Sequence, residues 1–545
     1  MRGHSSAGLA LVLAACLACG GAAAADGQAA GALAIQEPGL HFFSGEQVAK
    51  TVAFAPAAGE APADARLSWQ LTIGSAVVQR ASAEVKAGKD GLVREVILTM
   101  PEVRRIAQGA IGLSLQQDAD VLVAGRYDIA VFPLMPVVPT MVKGRKVVLY
   151  DPMGGTGAAL GYLGVKYSEL PQTWSLATGE ADLLIIGNGV PSDSLARLLS
   201  QLRGNVAEGM AVLCLEQVQL DESQLPCLSL ANGEGRLSVW AEPVGKEPIR
   251  GELAQPVLSV WREDGRIVRR PFLGPARGNF RILLDVVEAA DGPPQAAVVE
   301  VPFGNGRLIF SQMLIGESFW QEPVARYALV NLLTHALMPH AGVGARAGVL
   351  AAPDEKRFRD SLSLLGLDAA LSTAPGELRD VAIVSGSEES AEQLKGAGRS
   401  AQEELLALLK RGGTVLLAGL KPGAVGAFEF LWDGTLTVKA AKKGAAPDFS
   451  TIRGVGLFQG LRPGELSRLC GRASHPAITF VGNGPKGQTV SGDGLLILPE
   501  EAGQVIVCQL PLPLDEKDEE ALRTYSQLLT GLGVELRIPE RREVR

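Results

Sequence analysis

Residues 209–217 read GMAVLCLEQ, which is a glycine, an apolar run that includes Cys214, and two polar residues. A short run without polar alternation is typical of a strand covered on both faces, as in a parallel sheet. The similar runs KVVLYD (146–151) and ADLLIIGNG (181–189) precede it, and a helix-like segment follows each of them. Strands that alternate with helices in this way predict an α/β fold around a parallel sheet.

The same order of segments returns in the C-terminal half of the chain. RGGTVLLAG (411–419) matches the run at 209–217. AGVLAAPD (347–354) matches the run at 146–151, and RDVAIVSG (379–386) matches the run at 181–189. GRLIFSQM (306–313) and GQVIVCQL (503–510) also match, and a helix-like segment follows each. A spacing of 208 residues separates three identical pairs: Leu253 and Leu461, Leu258 and Leu466, Ser259 and Ser467. We therefore expect two α/β copies that arose by internal duplication.

The segment before the first copy has a different pattern. Short runs of alternating apolar and polar residues, such as ARLSWQLTI (65–73) and LVREVILTM (92–100), are separated by Gly, Pro and Asp. This pattern predicts an N-terminal antiparallel β-sandwich, followed here by two α/β domains with parallel sheets. The predicted boundaries are 1–25 for a signal peptide, 26–140 for the sandwich, 144–340 and 345–538 for the α/β domains, and 539–545 for a charged tail.

The first 25 residues have the pattern of a secretory signal, with Arg2 before an apolar run and small residues up to Ala25. Two processing routes stay open. LAAC (13–16) resembles a bacterial lipobox, which would make Cys16 the site of a lipid anchor, whereas Ala23–Ala25 fits ordinary signal peptidase. We favour the lipobox, because Cys16 otherwise has no use in a chain with few cysteines. Both routes predict a protein of the bacterial cell envelope, periplasmic, secreted or lipid-anchored.

The composition narrows the classes of function. The chain has 545 residues, of which 47% are hydrophobic, and a formal net charge of −8, as expected of a globular protein with several domains. No basic stripe is present to neutralise phosphates, so we expect no nucleic-acid partner. No segment after the leader has about 18 consecutive apolar residues, so we expect no membrane span. Isolated histidines and the absence of zinc-spaced cysteines predict no metal and no other cofactor.

The segments EGMAVLCLEQ (208–217), RGGTVLLAG (411–419) and FGNGRLIFSQ (303–312), in this order of strands and helices, resemble class I glutamine amidotransferase-like domains. The non-catalytic relatives, such as the trimerisation domain of bacterial β-galactosidases, are the most similar. The sandwich resembles the sugar-binding sandwich of family 2 glycoside hydrolases. The resemblance implies a flavodoxin-like or amidotransferase-like fold in both copies and an association with carbohydrate.

Cys214 determines whether the resemblance extends to catalysis. Active amidotransferases carry a Gly-x-Cys-x-Gly turn that exposes the thiol, and a later histidine and acid activate it. Here Leu213 and Leu215 flank the cysteine, which predicts a core position within the strand. No His-x-Glu pair follows in either copy, since His335 falls in the closing helix and His340 in a linker. We expect no catalytic residue and favour a protein that is not an enzyme. A disulfide between Cys214 and Cys227 stays open.

Polar residues follow the predicted strands of the first copy, where open α/β sheets bind their ligands. We predict a ligand-binding cleft formed by Asp151, Glu216, Gln217, Gln312 and Glu317. The alternative is that these residues are solvated loop ends and helix caps. The second copy has Pro353-Asp354, Leu420-Lys421 and Gln509 at the matching positions, and we expect it to be a structural partner.

Aromatic residues offer a second way to bind sugars, because an exposed ring can stack on a pyranose. The candidates are Trp69, Trp174, Trp240, Trp261, Trp320 and Trp432. Trp69, Trp240 and Trp261 lie in strand-like runs and are expected in the core. The expected function is non-catalytic binding or scaffolding, with carbohydrate or a polysaccharide-processing protein as partner. The alternative is a hydrolase of glycosidic or amide bonds that uses the acidic cleft. An oligomer stays open.

Overall fold

The structure is a computed structural model. It describes residues 31–37, 39–56, 64–86, 91–118, 120–171, 179–220, 228–231, 238–239, 253, 261, 266–275, 277–287, 295–340, 342–367, 380–396, 399–439, 466–467, 469, 477–482, 494–500, 502–510, 515 and 517–537. The predicted signal peptide with Cys16, Cys227, His475, most of the segments 249–261 and 457–469, and the predicted tail lie outside the described residues. Within them, no helix is both long and apolar enough to cross a membrane.

The N-terminal part is a β-sandwich of two sheets. Its strands are β1 (Gly31–Ile35), β2 (His41–Phe43), β3 (Gln47–Pro56), β4 (Ala65–Ile73), β5 (Ala76–Val85), β6 (Leu92–Thr99), β7 (Ala107–Gln117) and β8 (Asp120–Phe132). One sheet has the order β1-β3-β6 and the other β2-β8-β7-β4-β5. All pairs are antiparallel except β2 with β8. Alternate side chains point inward and form one core that includes Phe42, Phe54 and Leu67.

Polar groups join the two edge strands of this sandwich. The Gln79 side chain on β5 donates a hydrogen bond to the Ile97 carbonyl of β6 (3.1 Å) and accepts one from the Thr99 N–H (2.9 Å). An amide side chain of one sheet therefore pairs with the backbone of the other sheet, as a neighbouring strand would.

The next part, here called the first unit, is built on a mixed sheet. Its strands are β9 (Val147–Tyr150), β10 (Ser168–Glu169), β11 (Leu183–Ile186), β12 (Ala211–Cys214), β13 (Ser229–Leu230), β14 (Ser238–Val239), β15 (Phe272–Leu273), β16 (Arg281–Val287), β17 (Gln295–Phe303) and β18 (Gly306–Ser311). Its helices are α1 (Thr140–Lys143), α2 (Gly155–Tyr162), α3 (Ser192–Ala207), α4 (Ile315–Ser318) and α5 (Pro323–Leu337).

The central strands of the first unit are buried on both faces. Leu183, Ile185 and Leu213 face one core layer, which α2 and α5 cover. Leu184 and Cys214 face the opposite layer, which α3 covers. Burial of both faces explains why these strands read as continuous apolar runs in the sequence.

The C-terminal part, here called the second unit, repeats this design. Its strands are β19 (Ala347–Leu350), β20 (Val381–Ser385), β21 (Thr414–Ala418), β22 (Gly434–Lys439), β23 (Ala477–Gly482), β24 (Leu495–Glu500) and β25 (Gly503–Cys508). Its helices are α6 (Lys356–Leu364), α7 (Glu388–Gly396), α8 (Arg399–Lys410), α9 (Val425–Phe428) and α10 (Glu519–Gly531). Two separate core layers again cover the two faces of the sheet.

The two units share the order of their core strands. The order is β9-β11-β12-β18-β17 in the first unit and β19-β20-β21-β25-β24 in the second. In each unit the first three of these pairs are parallel, and the last is an antiparallel hairpin. The common strand order predicted from the repeat is therefore confirmed. The parallel sheet predicted for both copies is confirmed in part: each sheet is mixed, because the short β17–β18 and β24–β25 turns allow only antiparallel pairing.

Arg326 of α5 joins the first unit to the sandwich. Its guanidinium donates to the Leu134 carbonyl at the end of the sandwich (2.7 Å) and to the Tyr162 hydroxyl (2.8 Å). The same group lies 4.1 Å from the centre of the Phe43 ring, a cation–π distance. The sandwich residue Phe132 also packs in the core layer under α5.

Asn279 joins the first unit to the second. Its amide nitrogen donates to the Val534 carbonyl (2.7 Å) and to the Thr530 hydroxyl (3.0 Å), and its amide oxygen accepts from the Leu536 N–H (2.7 Å). Arg523 of α10 adds a hydrogen bond to the Pro275 carbonyl (3.1 Å). Asn279 and Arg523 are buried, so this interface depends on polar groups that are shielded from water.

A buried charge cluster lies under the C-terminal end of α5. Glu300 of β17 forms ion pairs with Arg281 (2.7 Å) and Arg307 (3.2 Å), and its Oε2 lies 2.8 Å from Nε2 of His335. Arg307 also donates to the Ala336 carbonyl (3.3 Å) and to the Met338 carbonyl at the end of α5. A cation at this end of a helix is favourable, because the last carbonyls carry partial negative charge.

Candidate functional site

The predicted site residues lie at the carboxyl end of the first-unit sheet. Asp151 directly follows β9, Glu216 and Gln217 follow β12, and Gln312 directly follows β18. Glu317 lies on α4, the short helix that comes after β18. Parallel strands bring these positions to one edge of the sheet, although they are up to 166 residues apart in the sequence.

Gln217 and Gln312 hold the strand ends together. The Gln217 side chain accepts from the Val190 N–H (2.9 Å) and donates to the carbonyls of Gly187 and Leu215 (2.8 Å each). Gln312 accepts from the Gln217 N–H (2.8 Å) and donates to its carbonyl (3.0 Å). Both amides are buried and bonded to the backbone, so the structure gives them a positioning role. Ligand contact by either residue stays a prediction.

The second unit keeps part of this arrangement. Gln509 follows β25 as Gln312 follows β18, and its side chain donates to the Leu420 carbonyl (2.8 Å). When the two units are matched by their strand registers, Leu420 occupies the position of Gln217, and Gly419 occupies the position of Glu216. The second unit therefore retains the amide that fixes the strand ends but lacks the acidic residue beside it.

Arg269 brings two of the predicted acidic residues together. Its guanidinium donates to both carboxylate oxygens of Glu317 (2.7 Å each) and lies 3.4 Å from Oε1 of Glu216. The two glutamates thus share one cation, which lies between them at the edge of the sheet. Sequence analysis missed Arg269, because it stands in a segment without periodic pattern, 53 residues after Glu216 and 48 before Glu317.

Glu216 has an unusual proton affinity. Burial raises the pKa of its carboxyl group, the charge of Arg269 lowers it and the nearby Glu317 raises it, and together these effects bring it to about 7. The group can therefore gain or lose a proton near neutral pH. A hydroxyl group of a ligand can donate to the charged form, and the protonated form can itself donate.

Asp151 makes different contacts from those of Glu216 and Glu317. Its Oδ2 accepts from the Gly157 N–H in the first turn of α2 (2.9 Å), which makes it a cap of that helix. Its Oδ1 is buried and has no hydrogen-bond partner among the described residues. A Cβ at Gly187 would lie 2.2 Å from this oxygen, so a larger residue there would displace the Asp151 carboxylate. None of the described contacts joins Asp151 to Arg269.

The second unit places a carboxylate in a comparable position, but from another residue. When the two units are matched by their strand registers, Ala351 occupies the position of Asp151. Glu355 supplies the carboxylate in the second unit instead. Glu355 accepts hydrogen bonds from the hydroxyls of Ser385 (2.6 Å) and Ser390 and from the Ala352 N–H (2.9 Å). These donors lower the pKa of Glu355 despite its burial, and they satisfy the carboxylate within the unit.

Cys214 is the last residue of β12 and is buried. Burial raises the pKa of its thiol to about 12, whereas a nucleophilic cysteine needs a lowered pKa and access to solvent. Its Sγ lies 3.6 Å from the Leu215 carbonyl. His335, which could serve as a base, is instead bonded to Glu300 in the buried charge cluster. The structure thus gives Cys214 a packing role.

We expect Cys214→Ala to lower the free energy of unfolding by about 1 kcal/mol, the usual cost of a small core truncation. In the folded wild type, peptide mapping after iodoacetamide treatment should find Cys214 unmodified at neutral pH, because the thiol is protonated and buried. Rapid modification of Cys214 in the native protein would contradict the assignment.

Among the described residues, no group of three His, Cys, Asp or Glu side chains is arranged to hold a metal ion. The acidic pair of Glu216 and Glu317 is instead occupied by the guanidinium of Arg269.

Comparisons with known proteins give no family. No family model and no curated protein matches the chain. Solved structures that are similar to parts of it include the CARDB domain of a Pyrococcus furiosus protein (12% identity, 18% of this chain and 88% of that chain, TM-score 0.15). A glycosyl hydrolase family 2 member from Bacteroides cellulosilyticus has 13% identity over 36% of this chain and 27% of its own, with a TM-score of 0.15.

A structure described as a novel carbohydrate deacetylase has 11% identity over 47% of this chain and 45% of its own, with a TM-score of 0.25. The chain spans less than half the length of the hydrolase and of the deacetylase. Similarity at this level assigns neither a family nor an activity.

Proposed function

We propose that this chain is a non-catalytic binding or scaffolding protein with its ligand site at the carboxyl edge of the first unit. The observation that carries the proposal is the arrangement of Glu216, Arg269 and Glu317, two acids held by one cation in a partly exposed position. Such a group offers donors and acceptors in a fixed geometry, which suits a ligand rich in hydroxyl groups. The resemblance to sugar-binding proteins supports carbohydrate as the ligand class.

The surroundings of this group favour binding over catalysis. Gln217 and Gln312 fix the strand ends beneath it through buried hydrogen bonds, so the site is preformed. Glu317 is held by Arg269 through both of its carboxylate oxygens, and the thiol of Cys214 is buried in the core. The second unit, with its acid satisfied internally, acts in this proposal as a structural partner.

Several features of the proposal rest on the sequence alone. They are export to the bacterial cell envelope, a lipid anchor at Cys16, the amidotransferase-like ancestry of both units, the domain limits near residues 140 and 340, and a polysaccharide-processing protein as partner. The shared strand order of the two units supports their duplication.

Titration calorimetry with cellulose, mannan and xylan oligosaccharides tests the proposal. We expect one site per chain, and the double variant Glu216→Ala/Glu317→Ala should weaken binding by about tenfold or more, since charged hydrogen bonds are lost. Glu392→Ala/Glu403→Ala removes two exposed acids of the second unit and serves as the matched control. Equal affinity of wild type and the Glu216/Glu317 variant would place the site on another surface.

The second candidate is a hydrolase, and the raised pKa of Glu216, about 7, favours it. A carboxyl group that is protonated near neutral pH can act as a general acid. Activity of this kind should fall as the pH rises above about 7, because the acid then loses its proton. Assays on the same oligosaccharides with wild type and Glu216→Gln decide the matter. Hydrolysis that requires Glu216 would replace the binding proposal.

A further inference from the structure

Trp320 presents a fixed aromatic surface to solvent. Its side chain is 47% exposed, yet its ring packs edge-on against Tyr162 (5.3 Å, 78°) and Phe319 (5.0 Å, 83°). The Arg326 guanidinium also donates to its carbonyl (3.1 Å). Two aromatic neighbours therefore hold the indole and Arg326 fixes its backbone, while part of the ring surface stays in water.

The other described tryptophans do not share this exposure. Trp261 and Trp432 are buried, and Trp69 is partly buried against the sandwich core. Trp174 and Trp240 lie outside the described residues. Of the six candidates identified in the sequence, the structure thus singles out Trp320 for contact with a ligand.

Trp320 also follows one of the two acidic residues closely in the chain. It follows Glu317 by three residues, and Phe319 between them keeps helical backbone angles. Residues three apart in a helical turn lie on the same face. Glu317 binds Arg269, which reaches Glu216. One backbone turn therefore separates a rigid aromatic surface from a charged hydrogen-bonding group.

We infer that Trp320 is a stacking platform for a pyranose ring of a bound oligosaccharide. One face of a pyranose carries only C–H groups, which pack on an aromatic face, and its rim carries hydroxyls, which need donors and acceptors. The indole supplies the first kind of contact, and Glu317 with Arg269 supplies the second. A purely apolar partner would leave this ion pair without new hydrogen bonds. The inference rests on the proposed function and adds the residue that would contact a ring of its carbohydrate ligand.

Affinity electrophoresis and tryptophan fluorescence titration with the same oligosaccharides and their parent polysaccharides test the platform. Trp320→Ala should weaken binding by about tenfold or more, as expected for a central aromatic contact, and Trp320→Phe should retain most of it. Val137→Ala, which truncates another exposed apolar side chain (87% exposed), should bind as wild type does. Circular dichroism and the thermal midpoint confirm that each variant folds.

The outcomes separate the platform from the proposed function. If Glu216→Ala/Glu317→Ala loses binding while Trp320→Ala binds normally, the platform is wrong and the acidic site stands. If only Trp320→Ala loses binding, the platform stands and the acidic site is wrong. If no carbohydrate binds the wild type, the inference is overturned together with the proposed ligand. If Trp320→Ala instead abolishes self-association seen by light scattering, the surface serves a protein contact and the inference is overturned.

Discussion

Replacing Glu300 by alanine should lower the free energy of unfolding by about 3–5 kcal/mol, the usual cost of breaking a buried ion pair from one side. The substitution would remove the buried carboxylate that pairs with the guanidiniums of Arg281 and Arg307 and with the ring of His335. Urea denaturation of the wild type and the variant, followed by circular dichroism, measures the difference.

The matched control is Glu84→Ala on the sandwich. Glu84 also pairs with an arginine, Arg66 at 2.7 Å, but both side chains are mostly exposed (72% and 59%). Exposed pairs of this kind contribute little to stability, so this variant should unfold almost as wild type does. An equal loss of unfolding free energy in the two variants would show that the buried charge cluster stabilises the protein no more than an exposed ion pair does.

The same cluster predicts a dependence of stability on pH. Its hydrogen bond and charge contacts with His335, and the charges of Arg281 and Arg307, lower the pKa of Glu300 in the folded state, although burial alone would raise it. A carboxyl group with a lowered folded-state pKa contributes stability above its unfolded pKa, about 4.3, and loses it as the pH falls toward the folded-state value. The stability difference between wild type and Glu300→Gln should therefore shrink below about pH 4.

Asn279→Ala should separate the unfolding of the two units. The buried N–H of Leu536 and the carbonyl of Val534 would lose their partner, at a cost of about 1–3 kcal/mol each. Because Asn279 spans the interface, the loss should appear as an earlier transition of one unit in calorimetry, or as faster proteolysis near residue 340. Asn305→Ala, at an exposed turn of the first unit, is the control. A single unshifted transition for Asn279→Ala would contradict the role of this contact.

Features that follow from local pattern could be read from the sequence. The segment ARLSWQLTI coincides with β4, in which Ala65, Leu67 and Leu71 are buried. The apolar runs of both copies form the central strands, because burial on both faces favours apolar residues at each position. The charge clusters could not be read in this way. Glu300 looks like one polar residue in an apolar strand, and its partners come from β16, β18 and α5.

The candidate site shows the same limit. Chain order predicted that Asp151, Glu216, Gln217, Gln312 and Glu317 would share one edge of the sheet, and this is where they lie. The different role of each residue depends on tertiary contacts that cannot be read from the sequence. Asp151 caps α2, the two glutamines bond the backbone, and Glu216 and Glu317 meet at Arg269. Glu355 likewise supplies an acid in the second unit from a position that strand matching does not identify.

The Gln79 side chain at the corner of the sandwich bears on how the protein behaves at high concentration. β6 is an edge strand with Val93 and Ile97 exposed on its surface, and such an edge is a template on which a foreign strand can add. Gln79 already bonds the Ile97 carbonyl and the Thr99 N–H, so an incoming strand would first have to displace it. An amide of the molecule itself thus occupies the part of this edge around Ile97 and Thr99, where a strand of a second copy would otherwise find free backbone groups.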